Sequence, residues 1–217
     1  MRSIPGIRKS AAFERTLATG LVVCALLATL AALLLPVRLF GESASTTTNT
    51  VAFDDDGGGT VATRYGPLTA MDRDFVRKVR LAGLWEMPAG RQAQERGRTP
   101  AVRTAGDHLV AGHTELDRRS VEAGRALGIP LPDRPTAEQQ GWLGQLGAAS
   151  DDAFGPLFAE LLRRSHGKVF GLVALVRDQT RNSVVRALAN RANTIVLDHM
   201  TVLEQTGLAD HGTQQSG

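Results

Sequence analysis

One glutamate and three histidines are the residues of this chain whose types and placement could do chemistry. Glu86, His113, His166 and His199 each interrupt a stripe of apolar residues that recurs every three or four positions, the spacing of one buried helix face. In FGPLFAELLRRSHGKVFGLVALV, residues 154–176, the stripe is Phe158, Leu162, His166, Val169, Val173 and Val176. A second reads Phe75, Val79, Ala82, Glu86, Ala89 and Ala93, and a third Val102, Ala105, Leu109, His113, Leu116 and Ser120. The last reads Val185, Leu188, Ala192, Ile195, His199 and Val202. Imidazole nitrogen suits zinc, copper, iron or nickel, and a carboxylate adds neutralising charge, so the four could hold a transition metal ion. The same set admits a metal-free reading, in which Glu86 accepts hydrogen bonds from one or two imidazoles and fixes the helix register. An unpartnered core glutamate would cost several kcal/mol or take up a proton, so both readings require a partner for Glu86.

Four long helices joined by short connections predict an all-α antiparallel four-helix bundle, with an extra short helix. Glu86, His113 and His166 fall near the middles of their helices and His199 somewhat past its own, so helices of similar length would bring them to one level. The boundaries carry chemistry of their own. Asp72 is a candidate cap for the first helix, and Pro88 inside it predicts a kink just after Glu86. Thr99-Pro100 is a start signal for the second, which Gly128-Ile129-Pro130 ends. Thr136-Ala137-Glu138-Gln139 is a capping box for a short helix that Gly147 ends, and Ser150 or Asp151 caps the next. No strand pattern of period two is evident.

The 217 residues leave room for one ordinary domain with extras, and 42% hydrophobic but only 5% aromatic residues point to a Leu, Val and Ala core. The formal charge is +3, basic residues are mostly Arg, and no long basic run with interleaved aromatics exists beyond the N-terminus, so no nucleic-acid partner is expected. The lone Cys24 cannot form an internal disulfide.

Before the helices the chain changes character twice. Residues 1–15 hold Arg2, Arg8, Lys9 and Arg15, and residues 16–38 are almost wholly apolar, long enough to span a bilayer at roughly 20 residues. The positive flank predicts a single-pass anchor with its N-terminus in the cytoplasm and the helical domain outside, the membrane being the one partner implied. A cleaved secretory signal is the rival; its apolar region is usually shorter, about 7–15 residues. Residues 39–69, rich in Ser, Thr, Gly and Asp, read as a flexible linker, 70–207 as the bundle and 208–217 as a disordered tail. Asp54, Asp55 and Asp56 stand adjacent rather than at the alternating positions of a calcium loop, so they read as solvated linker.

Other chemistries lack their residues. No Glu-x-x-His pair of the di-iron kind occurs, and nucleophile arrangements, phosphate-cradling glycine loops and dinucleotide fingerprints are absent from the sequence. His108 falls off the His113 face, His211 is in the tail, and Asp198 points away from the His199 face. Trp85 and Trp142 read as packing residues, with a partner-binding surface as their alternative use.

The segments DFVRKVRLAGLWEMPAGRQAQERGRTPAVRTAGDHLVAGHTELDRR, AEQQGWLGQL, FGPLFAELLRRSHGKVFGLV and TIVLDHMTVLE, in this order across residues 72–206, resemble the bacterial "domain of unknown function 4142" family. That resemblance implies a ferritin-like four-helix bundle in an exported or membrane-associated protein. It matches the family's characteristic Glu to Glu86 and its three histidines to His113, His166 and His199. Family members often carry an acid directly before the second-helix and third-helix histidines and a Glu two turns beyond the latter; here those places hold Gly112, Ser165 and Ala174. The expectation is therefore a membrane-anchored, extracytoplasmic bundle, non-enzymatic and acting by binding or as a structural element of the cell envelope. Its alternative is a metal-binding or metal-dependent redox protein centred on Glu86, His113, His166 and His199; no catalytic or cofactor-binding residue is singled out.

Overall fold

The computed structural model describes residues 53–209. A short antiparallel hairpin comes first, β1 (Val61–Thr63) and β2 (Gly66–Leu68), with Val61 opposite Leu68 and Thr63 opposite Gly66. Five helices follow: α1 (Ala70–Arg96), α2 (Pro100–Leu127), α3 (Ala137–Ala148), α4 (Asp151–Gln179) and α5 (Ser183–Gln205). The all-α bundle expected from periodicity is what forms, with the hairpin as an addition.

Each helix begins where a side chain can satisfy its first free N–H groups. The Thr69 hydroxyl accepts from Asp72 N–H while the Asp72 carboxylate accepts from Thr69 N–H, a reciprocal capping box. Asp72, expected as the cap, is thus the third residue of α1. Thr99 caps α2, with Pro100 in the first position where its missing N–H costs nothing. Thr136 and Gln139 form a second box, Ser150 rather than Asp151 caps α4, and Asn182 caps α5. Gly128 ends α2 in the left-handed region at φ +67°, as its sequence position predicted. α3 runs through Gly147 to Ala148.

α1 packs against α2 and α4, and α5 packs against the same two, so the long helices form a four-cornered bundle. The short links at Gly97–Thr99 and Thr180–Asn182 make α1–α2 and α4–α5 antiparallel neighbours. The α2–α4 connection is longer. It starts at the end of the bundle where Arg80 Nε donates to the Pro132 carbonyl at 3.2 Å. It finishes at the far end of α1, where Arg96 donates to the carbonyls of Leu146 and Ala149 at 2.7 and 2.6 Å. α3 makes that return along α1 and α4, so α1 and α5 run one way and α2 and α4 the other.

The interior is divided. One apolar cluster includes Phe75, Val79, Leu116, Leu172, Val173, Val185 and Ile195. The other includes Trp85, Ala89, Leu109, Phe154, Phe158, Leu162 and Leu203. On every long helix the change from one cluster to the other falls at or next to Glu86, His113, His166 or His199, which places the four at one height.

The expectation of no strands, and of a tether through residue 69, is corrected here. Strands of three residues are too short to show a period of two, and their hold on the bundle is polar. Buried Asn182 donates from Nδ2 to the Gly66 carbonyl at 3.2 Å, and Gly66 takes φ +102° against the Arg181 carbonyl, where a side chain would collide. Arg73 clamps the preceding loop, donating to the Asp56 carboxylate at 2.5 and 2.8 Å and to the Gly59 carbonyl at 3.1 Å. Asp56, read as solvated linker, is held well below the usual carboxylate range by Arg73, the Gly58 N–H and Arg77. Among the described residues no helix is long and apolar enough to cross a membrane. The expected anchor at 16–38, the segment before it and tail residues 210–217 lie outside the described residues.

Candidate metal centre

Four helices each contribute one side chain to the seam between the two apolar clusters: Glu86 from α1, His113 from α2, His166 from α4 and His199 from α5. None is more than 3% exposed, and one ligand-capable atom from each lies within 4.8 Å of all the others. Around a single tetrahedral ion with bonds of about 2.0–2.1 Å, ligand atoms stand about 3.4 Å apart, so binding would draw the widest pair together by up to about 1.5 Å. All four residues named from the sequence are brought together.

The backbone decides which nitrogens of two rings carry hydrogen. His166 Nδ1 lies 2.8 Å from the Leu162 carbonyl, and His199 Nε2 lies 3.0 Å from the His108 carbonyl. A carbonyl only accepts, so both of these nitrogens are N–H donors. In a neutral ring the other nitrogen is then bare. Those bare nitrogens, His166 Nε2 and His199 Nδ1, face each other at 2.9 Å. Two lone pairs cannot hydrogen-bond; a proton or a metal ion shared by the two nitrogens would relieve their repulsion. This is the arrangement of metal-ligating histidines, whose outer N–H is tied to a carbonyl so that the inner nitrogen is aimed and basic.

The other two residues continue the pattern. Glu86 Oε2 is 2.6 Å from His113 Nε2 and 3.3 Å from His166 Nε2. The 2.6 Å approach lacks hydrogen-bond angles, and Glu86 Oε2 and both ring nitrogens of His113 have no hydrogen-bond partner among the described residues. Buried polar atoms without partners are rare and costly. Ser165 Oγ donates to the other carboxylate oxygen, Glu86 Oε1, at 3.3 Å and so orients the group.

Burial penalises charge on Glu86, His166 and His199. It pushes His166 below the ordinary imidazole range and His199 down to about 2, with repulsion among the rings adding to the effect. Burial also raises Glu86, but attraction to His166 and His113 outweighs it and holds the carboxyl at about 2. That attraction leans on positive charge which burial denies to His166. Neutral His166 and His199 beside one carboxylate is therefore the state that desolvation favours, and it is a set of electron-pair donors with one negative charge.

Sequence reasoning missed three supports. Gly112 lets α2 and α5 approach: a methyl there would sit 2.8 Å from His199 Cε1 and Ile195 Cγ2. An acid in that position would displace the ring. Ser165 reaches the Glu86 carboxylate from the neighbouring helix. The third, the His108 carbonyl, becomes visible only when α2 meets α5. The Leu162 carbonyl that holds His166 lies one turn earlier on the same helix. Ala174 is exposed and plays no part. His108, expected at the periphery, is half-exposed and pairs with Asp198, Nδ1 to Oδ2 at 2.7 Å. Trp85 is buried and meets Trp142 edge to face at 4.9 Å, which assigns both to packing.

An antiparallel helical bundle with one carboxylate and three imidazoles across its mid-plane is the class that fold and site define. A family model described as Domain of unknown function (DUF4142) matches residues 59–206, and the chain belongs to that family. The match begins at 59 rather than 72, so the hairpin is part of the family domain. No curated protein and no solved structure matches the chain.

Proposed function

We propose that this protein is a non-enzymatic metal-holding bundle, in which Glu86, His113, His166 and His199 together bind one first-row transition ion. The observation that carries this reading is the pair of bare nitrogens 2.9 Å apart, each fixed by a backbone carbonyl behind it. A proton could bridge the same gap, but burial opposes it, and it would leave both nitrogens of His113 without a partner. Three nitrogens and one oxygen are a donor set that suits zinc(II), with cobalt(II) as its spectroscopic substitute. Protein side chains would supply all four positions and leave none for substrate, the pattern of a site that holds an ion rather than turning over a reaction.

The setting we propose is the cell envelope, with residues 16–38 as a single-pass anchor and the bundle outside the cytoplasm. The apolar run and the positive residues before it support this; a C-terminal epitope reachable on intact spheroplasts would agree with it, and one shielded until lysis would refute it. Kinship with ferritin-like bundles is supported by the single long crossover between α2 and α4.

Elemental analysis of the full-length protein after loading with zinc(II) tests the metal. One equivalent is expected, and His113→Ala or His166→Ala should weaken binding by at least about 100-fold. A wild-type protein that retains no ion would refute the assignment and leave Glu86 and the imidazoles as a structural network.

A further inference from the structure

The four central residues are all buried. Between α2 and α5 runs a surface groove of about 500 Å³, and its floor is His199, the one member of the central set that lines it. Gly112 and Ala111 form the α2 side, Thr194 and Ile195 the α5 side. Gly112 carries no side chain and lies against the His199 ring, the member of the central set that borders the groove.

The rim is unusual for a protein of net positive charge. Asp107, Glu115 and Asp198 line it against a single cation, Arg191. Arg191 is spent on Glu115, which it holds at 2.5 and 2.8 Å, and Asp107 accepts from Gln94 Nε2 at 2.9 Å. The rim also holds His108 Nδ1 and Asp198 Oδ2, one from each helix and 2.7 Å apart, and the backbone carbonyl of the same His108 anchors His199. A ring nitrogen and a carboxylate oxygen at that distance form a two-atom chelate for the same kind of ion that the interior set would take.

We propose that this groove is the loading route of the centre, with His108 and Asp198 as an outer capture site and the His199 ring as the gate. An incoming ion takes the place of the hydrogen bond between His108 and Asp198. The His199 ring then swings off the His108 carbonyl and passes the ion inward to His166, His113 and Glu86. The inference rests on the metal-holding reading and adds a path and two residues to it.

Stopped-flow mixing of the full-length protein with cobalt(II) tests the route, followed through the visible absorption that a four-coordinate cobalt(II) ion acquires. Asp198→Asn and His108→Ala should each slow uptake about tenfold, the scale of lost local attraction for a cation. Release into excess chelator should slow equally, so that the equilibrium affinity stays within about twofold. Ala111→Phe, which fills the exposed mouth and touches no ligand, should slow both rates as well. His108→Ala keeps the backbone carbonyl, and both rim side chains are about half exposed, so folding is not at stake. Wild-type rates in all three variants would overturn the route and leave the metal-holding reading standing. Faster release with weakened affinity would overturn it too, by making the pair a support of the bound state. No cobalt spectrum in the wild-type protein would overturn both.

Discussion

A carbonyl oxygen can only accept a hydrogen bond, and that elementary fact sets the protonation of two rings in this core. His166 should carry its hydrogen on Nδ1 and His199 on Nε2, in metal-free and metal-loaded protein alike. Nitrogen-15 shifts of labelled histidines check this; the opposite tautomer on either ring would undo the argument for bare nitrogens facing each other. The same burial gives a pH dependence. An unfolded imidazole takes up a proton near 6.5, whereas folded His199 resists until about 2. Both states are neutral above 6.5, so nothing is lost there; below it the unfolded chain gains protons that the folded chain refuses. The metal-free protein should lose about 2 kcal/mol from His199 between pH 6.5 and 5. Urea midpoints that stay flat across this interval would contradict it. At this scale the sequence was informative about which groups matter, because a polar residue inside an apolar stripe announces itself. It was silent about the use of Gly112, which lies in making room for a ring from another helix, His199.

Helices here are governed by their ends and by how closely they approach. The ends were largely readable: Thr99-Pro100, the box from Thr136 to Gln139 and Gly128 are local chemistry, and local chemistry is written in adjacent residues. The approach was not. Gly90 and Gly106 face each other across α1 and α2, and a methyl on Gly106 would meet the Gly90 carbonyl at 2.7 Å and Ala93 Cβ at 3.0 Å. Backbone cannot swing aside as a side chain can, so Gly106→Ala should destabilise the protein by about 1–3 kcal/mol. Gly141 and Gly144 on α3 face nothing within 4 Å, and alanine at either should stabilise by about 0.5–1 kcal/mol. Thermal melts of the three variants decide it, and equal shifts for all would show that the α1–α2 contact tolerates a methyl. The hairpin escaped detection because β1 and β2 are held by Asn182, Arg73 and a single left-handed glycine rather than by a repeating pattern.

For the molecule as a whole, the bundle is two oil-like bodies stacked end to end and threaded by the same four rods. Each long helix passes through both, and the layer between them is the one that holds Glu86, His113, His166 and His199. That layer is a built-in crease. Without a bound ion the halves should open as separate units, the half containing Phe75 and Val185 at one free energy and the half containing Phe158 and Leu203 at another, as native-state amide exchange would resolve. An ion gripping all four rods at the crease would act as a rivet and merge the two into a single cooperative body.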